Sequence, residues 1–137
     1  MSCLPIRRAE VSLLVTGEEV ARGREFARAA LLGWGLPEAA ETTALVVSEL
    51  AGNVVRHAGT AGDRMGLRLE AGLDRVRIEV RDGDPRPPVP RVPGELDESG
   101  FGFVLIEAVA EKWGVDQAGA GKCVWAELAV SATATAS

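Results

Sequence analysis

Residues 18–34, EEVARGREFARAALLGW, place Val20, Ala27, Leu31 and Trp34 at helical intervals, with arginines between them. That spacing predicts an amphipathic helix. Thr16 is suited to cap its start and Gly35 to end it. Pro37 fits the first turn of a second helix running to about Ala58. Val46, Leu50 and Val54 form its apolar stripe, while Glu49, Asn53 and His57 recur every fourth residue on an adjacent face. Before these helices, AEVSLLV (residues 9–15) has short strand character.

The period changes after the second helix. MGLRLEAGL and RVRIEVRD alternate apolar and polar positions, as strands with one covered face do. Leu73-Asp74 between them predicts a hairpin. Residues 83–99, GDPRPPVPRVPGELDES, hold five of the seven prolines, which excludes a helix or an interior strand. A loop of that length in a small domain suits a lid or binding segment. GFGFVLIEAVAEKW then turns helical, and KWGVDQ and GKCVWAELAV predict two final strands joined by AGAG. The order is β-α-α-β-β-lid-α-β-β. It implies an α+β two-layer sandwich, with helices on one face of a mixed, mostly antiparallel sheet. The expected division is a tail over residues 1–8, one domain over 9–130 and a small polar tail over 131–137.

Composition narrows the function. A chain of 137 residues suits one domain. Its net charge of −5 argues against a broad nucleic-acid surface. No apolar run approaches the ~20 residues of a membrane span, and the opening MSCLPIRRAE lacks a signal-peptide core. The two cysteines, Cys3 and Cys123, lie in no paired motif and fit a reducing compartment. A cytoplasmic protein is therefore expected, with neither nucleic acid nor membrane as a direct partner.

The candidate chemistry lies in four pieces: Glu49 with Asn53 one helical turn on, Asp82 followed at once by Gly83, the proline-rich segment, and Gly100-Phe101-Gly102 entering a helix. A glycine-rich helix entry exposes backbone N–H groups to phosphate. Asn offers a neutral oxygen to Mg²⁺, which takes few protein ligands beside phosphates and water. An Asp at a strand end can accept a hydrogen bond from an exocyclic amine such as that of adenine. Arg56 reads equally as a cation approaching phosphate or as a solvated one. His57 reads as an ordinary helix-end side chain or as a residue at the pocket edge. Lys122 reads as a solvated charge at the edge of the last strand.

In that order these segments resemble the GHKL nucleotide-binding fold. SELAGNVVRHA resembles its asparagine box, VRDGDPRPP and SGFGFVLIEAVAEKWGV its two glycine boxes, and GKCVWAEL its closing strand. The likeness is greatest to small bacterial anti-sigma-factor serine/threonine kinases of the RsbW type, as found in actinomycetes. The resemblance implies ATP and Mg²⁺ as cofactors. It implies Glu49 as catalytic base, Asn53 as the metal ligand, and Asp82 as the acceptor for adenine. It implies that Gly83, Gly100, Phe101, Gly102 and Phe103 form the glycine boxes around ATP, with residues 83–99 as the lid. Cys123 would stand where relatives carry a Thr that supports the adenine-binding Asp, and Gly52 stands where Thr often precedes the Asn. The implied partners are an anti-sigma-factor antagonist and a sigma factor, with a homodimer as the assembly. The alternative is a non-catalytic nucleotide-binding module that regulates a partner by docking.

Overall fold

The computed structural model describes residues 6–57, 63–83, 99–118 and 121–130, with the side chains of 57, 99–103 and 118 outside that description. Strand β1 (Arg7–Leu14) leads into helix α1 (Gly17–Gly33). Thr16 starts the helix as its side chain dictates: its hydroxyl accepts from the Glu19 amide at 3.2 Å. The Glu19 carboxylate reaches back to the Leu14 amide at 3.0 Å and ties strand to helix. At the other end Gly35 adopts φ +79°, the left-handed turn that favours glycine. The Leu36 amide donates to the Leu31 carbonyl at 2.9 Å and the Gly35 amide to Leu32 at 3.1 Å, which satisfies the last-turn carbonyls. Helix α2 (Pro37–His57) follows.

The remaining elements are β2 (Arg64–Ala71), β3 (Arg75–Asp82), α3 (Ser99–Val109), β4 (Lys112–Ala118) and β5 (Gly121–Ala129). The sheet order is β1-β2-β3-β5-β4. Each of the four pairings is antiparallel. Leu73 and Asp74 form the tip of the β2–β3 hairpin, closed by the Gly72 amide on the Arg75 carbonyl at 2.9 Å. Helix α3 is shorter than GFGFVLIEAVAEKW suggests: it stops at Val109, and Lys112 and Trp113 open β4.

Alternation divides the sheet into two faces. Leu67, Leu69, Val76, Ile78, Val80, Val124, Ala126 and Leu128 face the helices and meet Val46, Val47, Leu50 and Val54 of α2 in one core. Each fully buried Leu, Ile or Val contributes about 1.5–3 kcal/mol. On α3 the Val104 side chain is 57% exposed, whereas Ile106 is fully enclosed.

The outer face carries an ordered ionic lattice. Arg77 pairs with Glu79 at 2.7 Å and with Glu127 at 2.8 Å. Arg81 reaches Glu79 at 3.2 Å, and Arg68 reaches Glu10 at 2.9 Å. The Arg77 guanidinium lies 4.4 Å from the centre of the Trp125 ring. Burial pushes the Glu79 carboxyl up, but Arg77, Arg81 and Arg68 together hold it below its ordinary value.

Candidate functional site

Chain connectivity collects the predicted groups at one end of the sandwich. Helix α2 ends at His57, and β2 starts at Arg64. The start of β2 pairs with the end of β3, through Gly66 opposite Arg81. The end of β3 pairs in turn with the start of β5, through Asp82 opposite Lys122. Helix α3 follows β3 and precedes β4, whose first residue Lys112 pairs with Glu127 at the far end of β5. Thus α3 also begins at the end of the sheet where Asp82 lies. Asn53 near the end of α2, Asp82 at the end of β3 and the start of α3 thus lie toward the same end of the sheet.

Asp82 continues the inward-facing series Val76, Ile78, Val80, and Lys122 continues the series Leu128, Ala126, Val124. The two therefore meet on the helix side of the sheet. The Lys122 ammonium stands 3.2 Å from Asp82 Oδ1, with side chains only 7% and 4% exposed. Lys122 is thus an enclosed partner of Asp82 and not a solvated edge charge. Sequence reading missed it because a single lysine near a turn carries no sign of burial.

Cys123 requires a correction. It lies opposite Arg81 on the outer face, one residue out of phase with Asp82. Burial is the largest influence on its thiol and raises it, with Glu79 acting in the same direction and Arg81 bonding to it. A residue on that face cannot support the Asp82 carboxylate; Lys122 holds the position expected for Cys123.

Gly121 is a further residue that sequence reading missed. A Cβ there would lie 1.9 Å from the Asp82 carbonyl oxygen and 2.9 Å from Gly83 Cα. Only glycine lets β5 begin this close to the end of β3. The signal was the repeated glycine in AGAG, which read as a turn.

On α2 the Asn53 amide is half-committed. Its Oδ1 accepts from Arg56 Nη2 at 2.9 Å. Its Nδ2 is buried and has no hydrogen-bond partner among the described residues. The amide orientation follows from this contact, since a reversed amide would set donor against donor. Gly52 provides the seat for Arg56: a Cβ at 52 would lie 3.3 Å from Nη1 of that guanidinium. Glu49 lies one turn earlier and is partly buried. The backbone of Gly100, Phe101, Gly102 and Phe103 lies in the first turns of α3, and Gly83 directly follows β3. Residues 84–98 of the expected lid (83–99) and the His57 side chain fall outside the described residues.

The donor set suits Mg²⁺ held mainly by phosphate and water. Among the described residues no three His, Cys, Asp or Glu side chains converge on one point. Asn53 Oδ1 is a neutral oxygen of the kind such an ion accepts, and in this structure one of its lone pairs is taken by Arg56. A separate cavity of about 430 Å³ opens at the other end of the molecule, between Gly35–Ala39, Val109 and Leu128–Val130. It contains none of these groups.

An antiparallel sheet backed by helices, with Asp82 and Lys122 paired at one end of its central strands, defines a two-layer α+β sandwich with a polar end. The chain belongs to the histidine kinase-like ATPase domain family, which matches residues 14–128. It is 45% identical over 56 residues to the uncharacterized protein SCO4941 of Streptomyces coelicolor, an alignment covering 39% of this chain and 53% of that protein. The match thus spans about half the length of that relative. The crystal structure of the RsbU and RsbW domains of Rv1364c from Mycobacterium tuberculosis shares the fold, with a TM-score of 0.62 at 17% identity over 92% of this chain and 34% of that one. An ATP-binding domain is the assignment these findings support. Among the described residues, no helix is long and apolar enough to cross a membrane.

Proposed function

We propose that the chain binds ATP with Mg²⁺ between α2, the ends of β3 and β5, and the start of α3, and passes the γ-phosphoryl group to a Ser or Thr hydroxyl of a partner protein. The observation that carries this reading is the enclosed Asp82 carboxylate on the helix side of the last β3 rung. A carboxylate there would accept from the adenine amine. Asn53 would hold Mg²⁺, which neutralises charge on the phosphates when bound. Gly83, Gly100, Phe101, Gly102 and Phe103 would shape the backbone around the nucleotide. Glu49 would accept the hydroxyl proton as the new O–P bond forms and ADP departs.

The RsbW domain named in the structural relative supports a regulatory role. The partners would be an anti-sigma-factor antagonist as phosphoacceptor and a sigma factor as the sequestered protein, with the chain acting as a homodimer in the cytoplasm. The test is incubation with radiolabelled ATP, Mg²⁺ and candidate antagonists. Transfer that is lost in Glu49→Ala, with ATP binding kept, is the expected result. ATP binding with no transfer to any candidate would overturn the kinase assignment. One observation favours that second reading, a docking module: Arg56 occupies the Asn53 oxygen that a metal would need.

A further inference from the structure

We propose that Lys122 reads the base: its ammonium donates to ring nitrogen N1 of adenine while Asp82 accepts from the exocyclic amine. The inference rests on the nucleotide reading above and adds a specificity residue to it. Lysine is among the side chains least often enclosed, because removing an ammonium from water is costly. A pair kept only to hold strands together is commonly replaceable by apolar residues without loss of stability. Here the pair sits at the one end of the sheet where a ligand is expected, with Nζ 3.2 Å from Oδ1.

The neighbouring positions support a recognition role. Val80 and Val124, one inward step back along each strand, are 1% and 6% exposed and belong to the core. Asp82 and Lys122 are thus the first polar pair beyond the apolar core on these two strands. Gly121 brings the start of β5 close against the Asp82 backbone, beside the rung that carries both side chains.

Their chemistry then selects the base. Adenine presents a donor amine beside an acceptor nitrogen. Asp82 and Lys122 present an acceptor beside a donor, the complementary pattern. Guanine in the same orientation would set its O6 acceptor against the carboxylate and its N1–H donor against the ammonium. Both contacts become repulsive, so the pair rejects guanine twice where an Asp alone would reject it once.

The test is equilibrium binding of ATP, GTP and 1-deaza-ATP, in which CH replaces N1, to the full chain and to Lys122→Met. Wild type is expected to bind 1-deaza-ATP roughly tenfold or more weakly than ATP, the loss of one hydrogen bond to a charged group. Lys122→Met is expected to bind the two alike and to discriminate less against GTP. If wild type takes ATP and 1-deaza-ATP equally, Lys122 does not read N1 and the proposal falls, while the nucleotide assignment stands. If Lys122→Met weakens ATP binding but keeps the full 1-deaza penalty, the lysine merely positions Asp82, and the proposal falls again. If wild type binds no ATP, the nucleotide assignment itself is wrong. Should Lys122→Met fail to fold, Lys122→Gln supplies a neutral donor: a 1-deaza penalty smaller than in wild type supports the proposal, and an undiminished one overturns it.

Discussion

A methyl group on Gly121 would stand 1.9 Å from the carbonyl oxygen of Asp82, so the close of the β3–β5 ladder depends on a side chain's absence. The obstacle is backbone and cannot rotate away. Gly121→Ala is therefore expected to destabilise the protein by about 2 kcal/mol or more, although the same change in an unstrained strand is often favourable. Urea unfolding measures this. A midpoint equal to wild type would show that the strand ends separate without loss.

Asn53→Ala should separate stability from function. The substitution removes a buried amide nitrogen that has no hydrogen-bond partner among the described residues, and it places a better helix former in α2. The nucleotide-free protein is expected to gain about 1 kcal/mol, or roughly 3 °C in melting temperature. The Mg²⁺-dependent part of ATP binding should vanish at the same time. If both proteins respond to Mg²⁺ alike, the metal ligand lies elsewhere.

Stability should fall in acid through the outer face. Despite burial, which opposes ionisation, Glu79 and Glu127 are held below the ordinary carboxylate value of 4.5 by their arginines. A carboxyl depressed in the folded state stabilises it fully above the unfolded value. That contribution is lost as pH drops below 4.5 towards the folded value. Unfolding free energy measured from pH 7 to pH 3 is expected to decline over the acid part of that range, and Glu79→Gln should flatten the decline. An unchanged slope in the variant would assign the acid sensitivity to other carboxylates.

Cys123→Thr tests the separation of the two faces. Cys123 lies opposite Arg81 while Asp82 lies opposite Lys122. A threonine in its place should leave ATP affinity within about twofold, since one hydroxyl on the outer face forms no bond to Asp82. A larger gain in a calorimetric titration would return Cys123 to the site.

Most of the fold was legible because local signals agreed. The Thr16 cap, the left-handed Gly35 and the alternation in RVRIEVRD each act over a few residues. The stripe Val46, Leu50, Val54 is buried as its spacing predicts. What escaped depends on pairs distant in sequence. The enclosure of Lys122 and the contact between Gly121 and Asp82 join residues about forty positions apart. The fault at Cys123 was one of phase, because a one-residue shift along a strand reverses its face. The neighbour of Gly52 was likewise hidden from the sequence: the Arg56 guanidinium lies 3.3 Å from where a Cβ at 52 would stand.

The Asp82–Lys122 rung closes the β3–β5 ladder and also borders the proposed base site. A bound nucleotide would therefore act as an extra fastener on the seam between the two central strands. Opening that seam to solvent would require ejecting the ligand, so the backbone amides at the start of β5 should exchange with deuterium more slowly once ATP is present, by a factor that rises with its concentration.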